Sequence, residues 1–129
     1  MSDNPRDLRY TNDHEWARAD GASVRVGITR HAVEALGDIT LVNLDVKVGA
    51  TVTAGKPFGT VESVKAVSDL FAPLSGKLVA VNGALDDKPE LVNEDPYGEG
   101  WMVAIEPAAG ESVDKLLSAE QYDAFLGTL

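Results

Sequence analysis

The segment Val61-Glu62-Ser63-Val64-Lys65-Ala66-Val67-Ser68-Asp69, VESVKAVSD, lies near the middle of a 129-residue chain and reads as two strand ends meeting. Phe58-Gly59-Thr60-Val61-Glu62 leads into it and Ser68-Asp69-Leu70-Phe71-Ala72 leads away, after which Pro73, Ser75 and Gly76 turn the chain again. Both flanks carry the β-branched and aromatic residues that strands favour. No Gly, Pro or Asn marks the turn between them; a lysine stands there instead. A hairpin tip projects its side chain from a rigid base into water. That suits a group carrier, which needs a reactive end that moves while its root stays fixed.

Outward from this hairpin, most of the chain alternates as half-buried strands do. Val24, Val26 and Ile28 share a face, as do Val42, Leu44 and Val46, Val79 and Val81, and Trp101, Val103 and Ile105. Glycines fall between these runs as turn signals. Helices are few. Thr29 to Leu36 is predicted as a short one, with Thr29 as N-cap and Gly37 as its stop. Ser118-Ala119-Glu120-Gln121 has the form of a capping box, followed by an apolar stripe of Tyr122, Phe125 and Leu126, and a shorter turn is expected over 113–117. Val48-Gly49-Ala50-Thr51-Val52 faintly echoes Val81-Asn82-Gly83-Ala84-Leu85; read as a repeat, it would set two similar halves around the hairpin. The expected fold is mainly β, a sandwich or flattened barrel with short peripheral helices.

Composition narrows the function. With 21 acidic and 11 basic residues the net charge is −10, which repels phosphate backbones and argues against nucleic-acid binding. It favours partners with basic docking surfaces. There is no cysteine, so the protein itself supplies neither disulfide nor thiolate chemistry. Met1-Ser2-Asp3-Asn4-Pro5-Arg6-Asp7 resembles neither a secretory signal nor an Arg-rich transit peptide, and no apolar run approaches membrane-spanning length. A soluble, cytoplasmic bacterial protein is expected.

The candidate sites reduce to one. His14-Glu15-Trp16 lacks the second histidine of H-E-x-x-H, because residue 18 is Arg, and His31 is the only other histidine. No Walker sequence, no G-x-G-x-x-G between strand and helix and no G-x-S-x-G elbow is present. Tyr97-Gly98-Glu99-Gly100-Trp101 is a tight turn. Of the six lysines, Lys47, Lys56, Lys77, Lys88 and Lys115 read as ordinary solvated charges, and Lys65 alone stands at a hairpin tip.

At this point the chain resembles the glycine cleavage system H-protein family over about Arg9 to Leu126. The resemblance is carried by His14-Glu15-Trp16, Gly27-Ile28-Thr29, Glu34-Ala35-Leu36-Gly37-Asp38, Gly59-Thr60-Val61-Glu62-Ser63-Val64-Lys65-Ala66, Ala72-Pro73-Leu74-Ser75-Gly76, Val81-Asn82, and Asn93-Glu94-Asp95-Pro96-Tyr97-Gly98-Glu99-Gly100-Trp101. It implies a flattened β-sandwich, the barrel-sandwich hybrid or hammerhead of lipoyl domains. One domain is then expected over 1–129, with its core at about 24–106, an N-terminal segment over 1–23 and a helical tail over 110–129.

The resemblance further implies a non-catalytic carrier with lipoate in amide linkage to Lys65. Its implied partners are a pyridoxal-phosphate glycine decarboxylase (P protein), a tetrahydrofolate-dependent aminomethyltransferase (T protein), dihydrolipoamide dehydrogenase (L protein) and a lipoate-attaching enzyme. Glu15 and Asp69 match acidic positions that meet the arm's amine in a parking cleft, while Ala35 stands where some relatives have histidine. A biotin carrier usually sets its lysine between methionines, whereas Lys65 lies between Val64 and Ala66. Lipoyl domains of 2-oxo-acid dehydrogenases usually place Asp before the lysine and lack the HEW and PYGEGW segments. A lipoyl relay to other proteins and an unmodified binding module remain as alternatives.

Overall fold

The computed structural model describes residues 4–129; the first three positions of the N-terminal segment expected over 1–23 lie outside them. The alternating runs become nine strands in two antiparallel sheets. The larger sheet has six strands. In spatial order they are β1 (Arg9–Tyr10), β2 (Glu15–Asp20), β3 (Ser23–Ile28), β9 (Val103–Pro107), β8 (Gly76–Val81) and β5 (Thr51–Val52). The smaller has β4 (Ile39–Leu44), β6 (Pro57–Ser63) and β7 (Val67–Phe71), with β6 in the middle. The expected mainly β sandwich is what forms, and it is not a closed barrel.

The core lies between the sheets because the inward rows of both are aliphatic. Val24, Val26, Val103 and Ile105 of the larger sheet meet Val42, Val61 and Leu70 of the smaller one. A second cluster, Leu8, Tyr10, Trp16, Ala119 and Tyr122, covers the other face of the larger sheet and seats the C-terminal helix. Thr29 caps α1 (Arg30–Leu36) by accepting from the Ala32 amide, and Gly37, at φ 84, ends it with its N–H on the Val33 carbonyl. Ser118 and Gln121 form the capping box of α4 (Ala119–Leu126). Short helices α2 (Ala84–Asp87) and α3 (Leu91–Glu94) lie between β8 and β9.

Three expectations need correction. Trp101 does not share a face with Val103 and Ile105: it packs with the Trp16 cluster, whereas they lie in the core between the sheets. Val79 and Val81 do not share an inward face. A register shift between Leu78 and Ala80 interrupts the period of two, so Leu78 is fully buried, Val79 turns outward and Val81 still packs on the core. The echo is not a repeat either. One copy is a turn entering β5, while the other ends β8 and opens α2. Val52 and Leu85 both anchor in the core, which accounts for the similar pattern.

Several quoted motifs turn out to be packing devices. Trp16 Nε1 donates to the Pro96 carbonyl at 2.9 Å, Arg18 donates to the Tyr97 carbonyl, and the Tyr97 hydroxyl accepts from the Arg30 amide. These bonds fasten the 93–101 segment to β2 and α1. Gly76 is required by close approach: a Cβ there would overlap the Glu106 carbonyl oxygen on β9, which is backbone and has no rotamer to escape into. Gly76→Ala is therefore expected to lower unfolding free energy by about 1–3 kcal/mol, the range for overpacking a tight site. Denaturant titration checks this, and a loss below about 0.5 kcal/mol would refute it.

Candidate functional site

The turn between β6 and β7 needs no Gly or Asn because a side chain does their work. Ser63 Oγ accepts from the amides of Lys65 and Ala66, at 3.3 and 3.1 Å, and the Ser63 amide donates to the Ala66 carbonyl at 2.8 Å. Neither Val64 nor Lys65 adopts positive φ. Serine at the first position of such a turn is a recognised stabiliser through side-chain to backbone bonding. This signal was legible in Ser63, two residues before the lysine, and the sequence reading missed it.

Lys65 is exposed on this turn and, among the described residues, forms no ion pair. Its stem is not loose. Lys65 Cε lies 3.6 Å from where a Cβ on Gly37 would be, so the aliphatic chain passes over the C-terminal end of α1. Gly37, read from sequence only as a helix stop, thus also leaves room beside the lysine.

The surface around the lysine is mixed. On the outer face of the smaller sheet, Leu41, Glu62 and Val67 form one cross-strand row and Asn43, Thr60 and Asp69 the next. Leu41, Val64 and Val67 are exposed aliphatics, Val64 at 78%. Exposed aliphatic groups beside exposed acids make a surface that a partner with apolar and basic groups can cover.

Glu15 and Asp69 occupy unlike environments. Asp69 is exposed on β7, four residues after Lys65. Glu15 is 2% exposed at the start of β2. Its Oε1 accepts from the Thr11 hydroxyl at 2.8 Å and its Oε2 from the Phe71 amide at 3.2 Å. The second bond ties the larger sheet to the edge strand that carries Asp69, two residues before Phe71. Burial pushes the Glu15 carboxyl up to about 8, against the pull of both hydrogen bonds. Burial thus favours the neutral form of Glu15, while its two hydrogen bonds favour the carboxylate.

The two histidines set aside as metal ligands do meet, with ring centroids 4.5 Å apart. Among the described residues, no three His, Cys, Asp or Glu side chains are placed to hold a metal ion, and no helix is long and apolar enough to cross a membrane.

Comparison with known proteins bears on this arrangement. The family described as "Glycine cleavage H-protein" matches residues 8–128. A "Glycine cleavage system H protein" of Myxococcus xanthus is 58% identical over 127 residues, covering 98% of each chain. One from Bacillus subtilis is 51% identical over 119 residues, covering 92% of this chain and 93% of its own. Among solved structures, a glycine cleavage system H protein from Mycobacterium marinum superposes with a TM-score of 0.86 at 49% identity. That match covers 96% of this chain and 99% of the other.

Proposed function

The chain belongs to the glycine cleavage H-protein family, and on that premise we propose that it is a lipoate-carrying shuttle whose lipoyl group is attached to Lys65. The observation that carries this reading is the amine itself. It is exposed and, among the described residues, forms no ion pair, on a turn held by Ser63, with its stem along Gly37. These features fit amide attachment, since the acceptor nitrogen is reachable while its root is fixed. When bound, the lipoyl disulfide supplies the acceptor sulfur and the redox chemistry that a cysteine-free chain lacks. In the cycle we propose, the chain passes the aminomethyl group of glycine from the pyridoxal-phosphate decarboxylase to the tetrahydrofolate-dependent aminomethyltransferase. It then presents the dithiol to dihydrolipoamide dehydrogenase. The direct test is expression in a lipoate-replete host with intact mass and peptide mapping. One lipoyl adduct on Lys65 is expected. An adduct on Lys56 or Lys77, a biotinyl adduct, or none would overturn the reading.

Asp69 and Glu15 complete the proposal as the groups that shelter the loaded arm. The exposed Asp69 carboxylate accepts from the arm's terminal ammonium and keeps that nitrogen protonated, so its lone pair cannot expel sulfur. Glu15 enters only after losing its proton. A cation brought beside a buried carboxyl lowers its pKa, so docking of the arm is coupled to ionisation of Glu15.

Docking of the partner enzymes is expected to depend on salt. The net charge is −10, and Glu62 and Asp69 flank the tip on the outer sheet face. Attraction to basic surfaces is screened as the Debye length falls to about 3 Å at 1 M salt. The apparent Michaelis constant of the aminomethyltransferase for the lipoylated protein should rise severalfold between about 0.05 and about 0.5 M salt. A flat profile would remove electrostatic steering.

A further inference from the structure

Three elements converge where the loop before β2, the start of α1 and the C-terminal helix α4 meet. There the Tyr122 hydroxyl oxygen lies 2.9 Å from Thr29 Oγ1 and 2.7 Å from His14 Nδ1. Thr29 Oγ1 also accepts the Ala32 amide as N-cap, at 3.2 Å. Thr29 and Tyr122 are both 0% exposed, so each hydroxyl proton needs a protein acceptor. For Thr29 that acceptor is the Tyr122 oxygen, the one oxygen in hydrogen-bond reach of its hydroxyl among the described residues. Tyr122 must then donate onward, to His14 Nδ1. The direction of the chain makes His14 a neutral acceptor with its own proton on Nε2.

The position of His14 is built with some strain. It is the one non-glycine residue at positive φ among those described, at 67°, and its carbonyl accepts from the Thr29 amide at 3.0 Å. Its ring packs against His31 of α1 and Phe125 of α4, while the Tyr122 ring stacks on Tyr10 with centroids 4.7 Å apart.

We propose that the one-directional chain Thr29 to Tyr122 to His14 is a proton-sensitive latch that holds α4 against α1 and the β2 entry loop, and releases it when His14 takes up a proton. A proton on Nδ1 turns the imidazole from acceptor into donor. Tyr122 must then donate back to Thr29, whose hydroxyl proton loses its acceptor while still buried, or else the His14–Tyr122 bond breaks. The groups facing His14 set where this happens. Burial opposes the added charge most, and His31 from α1 opposes it too, while Asp13 on the same loop favours it. Glu15, next in the chain, is pushed toward its neutral form by burial, and from α4 the carboxylate of Asp123 is engaged by Arg6 at 2.7 Å. The net direction for His14 is downward. The latch is therefore complete above the ordinary imidazole range and is lost as pH falls through the depressed value.

Nitrogen-15 spectra of the histidines and amide exchange of α4, corrected for its intrinsic pH dependence, test the latch. At about pH 7.5, above the ordinary imidazole range, His14 should show the Nε2–H tautomer. As His14 titrates, α4 amides should exchange about tenfold faster, the effect of losing one buried hydrogen bond. Tyr122→Phe keeps the stacking on Tyr10 but removes the hydroxyl, so its α4 exchange should lose the step. An Nδ1–H tautomer at neutral pH overturns the proposal, as does a step that persists in Tyr122→Phe. The tautomer is read on the unmodified protein and decides even if the variant folds poorly.

Discussion

Lys65→Arg is expected to fold as the parent does and to carry nothing. The side chain is exposed on its turn, and the turn is held by Ser63 rather than by the lysine. An exposed substitution of this kind changes stability by no more than about 0.5 kcal/mol. Arginine keeps the charge and a long aliphatic stem over Gly37. Its guanidinium is protonated throughout the accessible pH range and is no acyl acceptor. Glycine decarboxylation reconstituted with the partner enzymes should therefore fall to background, with no adduct by mass spectrometry and an unchanged thermal transition. Surviving glycine decarboxylation would place the arm elsewhere. A large drop in Tm would mean that the tip has a structural task the contacts do not reveal.

Glu15→Gln is expected to make the fold more stable and the loaded protein shorter-lived. The carboxyl has its pKa raised to about 8 by burial, while the unfolded chain titrates near 4.5. A group with a raised folded pKa contributes fully below its unfolded pKa, and that contribution is lost as pH rises through the folded value. The wild type should thus lose stability between about pH 4.5 and 8, on the order of 5 kcal/mol at 1.36 kcal/mol per unit. Glutamine can keep both partners, accepting from the Phe71 amide and bonding the Thr11 hydroxyl, without a charge to desolvate. Above pH 8 the variant should melt roughly 15 °C higher than the wild type. Parallel pH–stability curves would show that Glu15 ionises without penalty in the folded protein.

The functional arm of the same experiment times ammonia release from the loaded, isolated protein. Both Glu15→Gln and Asp69→Asn should shorten its lifetime severalfold, since each removes a charge-assisted bond worth about 1.5–3 kcal/mol. Because the glutamine variant is the more stable fold, a shorter lifetime there cannot be laid to unfolding. Equal lifetimes in all three proteins would leave the arm's protection without these two acids.

Sequence by itself determined whatever depends on near neighbours along the chain. A period of two identified most of the strands; it failed at Val79, where a bulge interrupts it, and at Trp101, which precedes β9 and packs with the second cluster. Thr29 and Gly37 bounded α1, and Ser118 with Gln121 opened α4, because a cap satisfies amides within one helical turn. Lys65 stood out because both strands of its hairpin are local to it. Tertiary structure alone decided the rest. Glu15 and Phe71 are 56 residues apart, and His14 and Tyr122 are 108 apart. No spacing rule links residues so distant, yet the packing that brings them together buries the Glu15 carboxyl and sets which way the Tyr122 hydroxyl points. Gly76 is explained only by the carbonyl of Glu106 across the β8–β9 ladder. Local pattern shows which face of an element seeks the core, whereas desolvation and hydrogen-bond direction are set by whatever finally packs against it.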